Sequence, residues 1–125
     1  MSGVTHANTI RKLAVAGALV LGVNTAFAND NAGSPMTAGL VMDKMPVRER
    51  FSYVAGIVEG LAYARFRKDT AAKGGNDVSG MKCIYDWFYT DNTKTMDTVE
   101  AAFRKYADRY PATLLAVLIK RKCGE

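Results

Sequence analysis

The only two cysteines, Cys83 and Cys123, enclose a loop of about 40 residues. Thiol chemistry needs a thiolate, held by a metal, by a lowered pKa or by a second sulfur. Structural zinc takes four Cys or His ligands, and these two thiols have neither a Cys-x-x-Cys spacing nor a companion histidine. No metal and no cofactor are expected. Lys82 and Lys122 adjoin the two cysteines, which leaves open a redox-active thiol with a lowered pKa. The favoured reading is a structural disulfide, which would stabilise the fold by about 4 kcal/mol in the chain-entropy treatment.

That reading depends on compartment, and the N-terminus supplies one. Arg11 and Lys12 precede an apolar run from Leu13 to Val23, followed by Ala26-Phe27-Ala28. A basic start, a short apolar core and a small-x-small end make a secretory signal peptide, with cleavage expected after Ala28. The run spans about 17 Å as a helix, short of a ~30 Å hydrocarbon layer. Residues 1–28 are therefore expected to be removed, leaving an exported periplasmic chain with no integral membrane span. Cysteine pairs in such compartments are oxidised.

Losing that segment sharpens the exclusions. The one histidine, His6, goes with it. Without an imidazole, a Ser-His-Asp triad and His-based acid–base catalysis fall away. Of the 17 basic side chains 15 remain against 12 acidic ones, a net charge of +3. The excess is scattered and forms no basic stripe, so no nucleic-acid partner is expected. Asp86, Asp91 and Asp97 are the carboxylates that could pair for acid–base work as in glycosidases. Their places in loops and caps argue for solvation instead, and no enzyme activity is expected.

The elements that must position the cysteines are helical. Residues 29–45 read as a flexible leader and 46–125 as the helical domain. Pro46 suits a helix start, with Asp43 as an upstream cap or dipole partner. Phe51, Val54, Ala55, Val58, Leu61 and Ala62 then recur at spacings of three and four to about Phe66 or Lys68. Beside them, Gly56 and Gly60 form a flat strip. The favoured reading is close packing of another helix within the chain; a partner or ligand surface is the alternative. Residues 69–80, with Lys73-Gly74-Gly75-Asn76-Asp77, read as a loop.

Residues 83–89 are Cys-Ile-Tyr-Asp-Trp-Phe-Tyr, with the only tryptophan. A turn or two of helix after Cys83 is expected, with Ile84, Trp87 and Phe88 on one side. The rings either fill the core beside the disulfide or meet a partner. Tyr85, Trp87 and Tyr89 are the candidate partner-binding residues, the two tyrosines being the more exposed. A helix from Met96 or Asp97 to Asp108 follows, with Asp97 and Glu100 at capping-box spacing. Pro111 opens the last helix. Leu114, Leu115, Val117, Leu118 and Ile119 make that helix apolar nearly all round, as in the middle of a bundle. The fold class expected is all-α: a small single-domain bundle of three main helices plus a short one, closed by one disulfide.

The sequence also resembles a known family. Cys83-Ile84, then Thr95-Met-Asp-Thr-Val-Glu-Ala-Ala-Phe-Arg-Lys-Tyr-Ala-Asp-Arg-Tyr-Pro111, then Ala112-Thr-Leu-Leu-Ala-Val-Leu-Ile-Lys-Arg-Lys-Cys123, is similar to the immunity proteins of type VI secretion amidase effectors. Cys83, Thr98, Lys105, Tyr106, Pro111, Leu118 and Cys123 fall in the matching order. Phe51-Ser-Tyr-Val-Ala-Gly-Ile-Val-Glu-Gly-Leu61 resembles the family's Gly-containing first helix, so the likeness spans roughly residues 50 to 123. Tyr85 stands where the family has proline, and Tyr110-Pro111 replaces its His-Pro. The resemblance implies a periplasmic helical protein with a disulfide that inhibits a cell-wall-targeting enzyme. A periplasmic protein partner is accordingly expected. An acid-stress chaperone, driven by carboxylates alone, and a structural interaction protein are the alternatives.

Overall fold

The structure, a computed structural model, describes residues 35–124. The expected signal peptide and the first part of the leader lie outside the described residues. Five helices are present and no strand occurs among the described residues: α1 (Ala38–Lys44), α2 (Val47–Lys73), α3 (Ser79–Tyr89), α4 (Asn92–Lys105) and α5 (Pro111–Cys123). The all-α class holds. The count of three main helices and a short one does not, because a further helix forms inside the expected leader.

That helix, α1, is fixed at its N-terminal end. The Thr37 hydroxyl accepts from the Leu40 amide at 3.3 Å. The Ala38 and Gly39 amides donate to the carbonyls of Arg109 and Ala107 at 2.8 and 2.9 Å. Ala38 and Val41 are fully buried. The small, polar look of the segment hides two core positions three apart, so the leader boundary at 45 moves back to the start of α1. Asp43 lies within α1 and caps nothing in α2; Pro46 is the N-cap of α2.

The α2 stripe buries Val54, Val58 and Ala62, while Phe51, Ala55 and Leu61 pack partly covered beside them. The helix runs on to Lys73, past the expected end, and stops where Gly74 adopts a left-handed φ of 71°. Gly is the residue that reaches that region without a Cβ penalty. The expected loop from 69 to 80 therefore shrinks to a short turn. In it the Asp77 carboxylate accepts from the Ser79 hydroxyl at 2.6 Å and the Ser79 amide at 3.0 Å. These bonds hold Asp77 below the usual carboxylate range.

Helix α3 begins at Ser79, four residues before Cys83, and supplies Ile84 and Phe88 to the core. In α4 the cap is Asp91, whose carboxylate accepts from the Lys94 amide at 3.2 Å, and Asp97 lies a turn inside the helix. Val99 and Phe103 complete its buried face. α5 contributes Leu115 and Ile119. It is not central: Val117 is 43% exposed, so one side of its apolar surface remains uncovered.

Three long-range ties lock the ends of the bundle. Cys83 and Cys123 form a disulfide, with Cα atoms 5.9 Å apart, joining α3 to the end of α5. Arg65 holds Asp69 and also donates to the Gly124 carbonyl at 2.9 Å, joining α2 to the same end. At the opposite end Arg50 bonds the Met45 carbonyl at 3.0 Å and Glu100 at 2.9 Å.

Candidate functional site

The aromatic segment divides around its own helix. Ile84 and Phe88 point into the core, and each residue is turned 100° from the last in an α-helix of 3.6 residues per turn. Tyr85 and Tyr89 thus lie on one flank, Cys83 and Trp87 on the other. The three candidate partner-binding residues are not brought together.

On the first flank the tyrosines meet α2. The Tyr85 hydroxyl donates to Glu59 Oε2 and the Tyr89 hydroxyl to Glu59 Oε1, each at 2.7 Å. The rings lie 6.1 Å apart, tilted by 47°. Donation from Tyr89, then from Tyr85, favours the ionised carboxyl and lowers the pKa of Glu59. The reciprocal effect raises both phenols, because ionising either would lose its bond and place two negative charges together. Tyr89 is pushed up to about 12, and Tyr85 moves in the same direction with the Glu59 bond as its main cause. At neutral pH one carboxylate therefore holds two neutral phenols in fixed positions.

Beside this cluster the α2 surface is smooth. Gly56, Gly60, Tyr63 and Arg67 recur at helical spacing and all are exposed. A Cβ built on Gly56 or Gly60 meets nothing within 4 Å. Among the described residues, therefore, no helix packs closely at these glycines. The close approach occurs at Gly80 instead, where an added Cβ would lie 2.6 Å from Arg65 Nε, 2.8 Å from Arg65 Cγ and closer still to the Asp69 carboxylate. Spacing revealed two small residues in a row, but only the packing of α2 against α3 decides which glycine faces a neighbour.

On the second flank, Trp87 is half-buried and lines a hollow of about 310 Å³ with Asp86, Asp91, Lys94, Thr95 and Lys122. The buried Thr95 hydroxyl donates to the Trp87 carbonyl at 2.9 Å, joining α3 to α4. The carboxylates here have structural duties: Asp86 pairs with Lys82 at 2.6 Å, and Asp91 caps α4. Asp97 does not line the hollow. Among the described residues no three His, Cys, Asp or Glu side chains group as metal ligands, and no helix is long and apolar enough to cross a membrane. The disulfide removes both thiols from nucleophilic chemistry.

Glu59 is the site residue that local sequence reasoning passes over. It sits on the flank of an amphipathic helix, like many solvated carboxylates, and its partners are about 26 and 30 residues away. The one local signal is the i, i+4 spacing of Tyr85 and Tyr89, which aligns two hydroxyls along one helix edge. No family model, no curated protein and no solved structure matches the chain.

Proposed function

We propose that this chain is an exported, non-enzymatic binding protein of the periplasm. Its contact surface is the outward face of α2 together with Tyr85 and Tyr89. The carrying observation is that Gly56 and Gly60 sit side by side on an exposed helix face with open space above them. Each glycine in a helix interior costs about 1 kcal/mol relative to alanine, and no close contact among the described residues offsets it. A partner backbone laid on that strip would. The flanking tyrosines are rigid, amphipathic and pinned by Glu59, the type of residue that dominates binding energy at interfaces. The resemblance to amidase immunity proteins extends the reading: the partner is a cell-wall-targeting enzyme and the chain its inhibitor.

The test is capture from periplasmic extract at neutral pH with the tagged, oxidised protein and its Gly60→Arg variant. A discrete partner that the wild type retains and the variant loses supports the reading, and peptidoglycan-amidase activity in it supports the inhibitor role. Identical capture by both proteins refutes the α2 surface. Suppression of client aggregation confined to acid pH, with no discrete partner, would point to the chaperone alternative.

A further inference from the structure

A second surface lies between α4 and α5, away from Gly56, Gly60 and the Glu59 tyrosines. It is a groove of about 340 Å³ whose apolar lining comes from Ala102, Tyr106, Leu114, Val117 and Leu118. Tyr106 and Val117 are each 43% exposed. This groove is the uncovered side of the nearly all-apolar α5. Its charged lining residues are both arginines, Arg109 in the turn before α5 and Arg121 on its last turns. Among the described residues no carboxylate lines it. Among the described residues Arg109 pairs with its neighbour Asp108 alone, at 3.5 Å, with both side chains mostly in solvent. Arg121 has no ion-pair partner among the described residues. Lys105, 5.3 Å from the centre of the Tyr106 ring, adds a third cation nearby.

The frame of the groove is fixed before anything binds. The Arg109 carbonyl accepts from the Ala38 amide at 2.8 Å, and its own amide donates to the Tyr106 carbonyl at 3.0 Å. α1 thus clamps the turn that carries one of the two cations, which lowers the ordering cost of binding.

We propose that this groove docks an amphipathic helix of a partner protein, bearing aliphatic side chains on one face and a carboxylate at each end of that face. Thr113, at the Arg109 end, and Arg121 are separated by about 12 Å along α5 at 1.5 Å per residue, and two turns of a docked helix span about 11 Å. Carboxylates seven residues apart therefore reach both arginines while the side chains between them fill the apolar floor, the helix-in-groove mode of recognition. A fatty acid has one anionic end and would leave one arginine unmatched. The proposal stands apart from the reading of the α2 face, and either can fail alone.

The experiment uses the full oxidised chain and fluorescently labelled model helices with leucines along one face. Glutamates flank the leucines in one probe, lysines in the other. The glutamate probe is expected to bind roughly tenfold tighter at low salt, with the advantage shrinking as salt rises. The double variant Arg109→Glu/Arg121→Glu should reverse the preference, a result that misfolding cannot produce. Val117→Asp should weaken both probes. Equal binding of the two probes, or an unchanged preference in the charge-reversed variant, overturns the proposal. So does displacement of the glutamate probe by laurate at one equivalent, which would make the groove an amphiphile site. A dimer in sedimentation velocity that Val117→Asp dissolves would seat a second copy there and overturn it as well.

Discussion

Replacing Gly56 and Gly60 with alanine is expected to make the protein more stable and, on the proposed reading, worse at binding. Both glycines lie inside the 27-residue α2. Neither has the positive φ found at Gly74 and Gly124, so alanine fits the backbone as it stands. A Cβ at either position meets none of the described residues within 4 Å, so no steric cost offsets the gain in helix propensity. Each substitution should stabilise by about 0.8–1 kcal/mol, and both together by nearly 2 kcal/mol. In a domain of this size 1 kcal/mol moves Tm by about 4–8 °C, so the double variant should melt about 8–15 °C higher. Positions four apart on one helix are close enough to couple, so the single variants are measured as well. Calorimetry at neutral pH with the disulfide intact reads the effect. Gly80→Ala is the control of opposite sign. Its Cβ would displace the Arg65–Asp69 pair, which also ties α2 to Gly124, at a cost of about 1–3 kcal/mol. A Tm that falls or stays level in Gly56→Ala/Gly60→Ala would show that the strip is covered, and the surface assigned to binding would be lost. A higher Tm with undiminished partner capture would keep the open strip but remove its role in binding.

Replacing both cysteines with alanine should cost about 4 kcal/mol, seen as a lower urea midpoint for Cys83→Ala/Cys123→Ala than for the oxidised wild type. Tyr89 should titrate at about 12 by tyrosinate absorbance, and Glu59→Gln should bring it back towards 10. The same pair sets a pH window. Glu59 is held low, so its contribution is present above the ordinary glutamate range and is lost as pH falls through its lower folded value. The tyrosines are held high, so theirs is present below about pH 10 and is lost as pH rises, for Tyr89 towards about 12. The stability difference between wild type and Glu59→Gln should accordingly be flat from about pH 5 to 9 and shrink on either side. Gly39→Val should release α1, because a Cβ there already lies 3.0 Å from Ala107 Cβ and 3.1 Å from the Ala107 carbonyl. Faster amide exchange at Ala38 and Val41, with α2 to α5 protected, checks it.

Periodic burial was legible in the residues themselves. Val54, Val58 and Ala62 recur every four positions, Pro111 opens a helix, and the two cysteines pair. These follow from local geometry and composition. α1 was not legible, because two buried side chains in seven residues make too short a pattern and its amides bond the turn at 107–109, far along the chain. The role of the glycines was not legible either. Gly56, Gly60 and Gly80 look alike in sequence, and only the crossing of α2 and α3 puts one against Arg65 and leaves two in the open. The same crossing brings Glu59 to Tyr85 and Tyr89. A helix fixes which side chains share a face through its own 3.6-residue turn, but which neighbour meets that face is set by how five helices bury their stripes together.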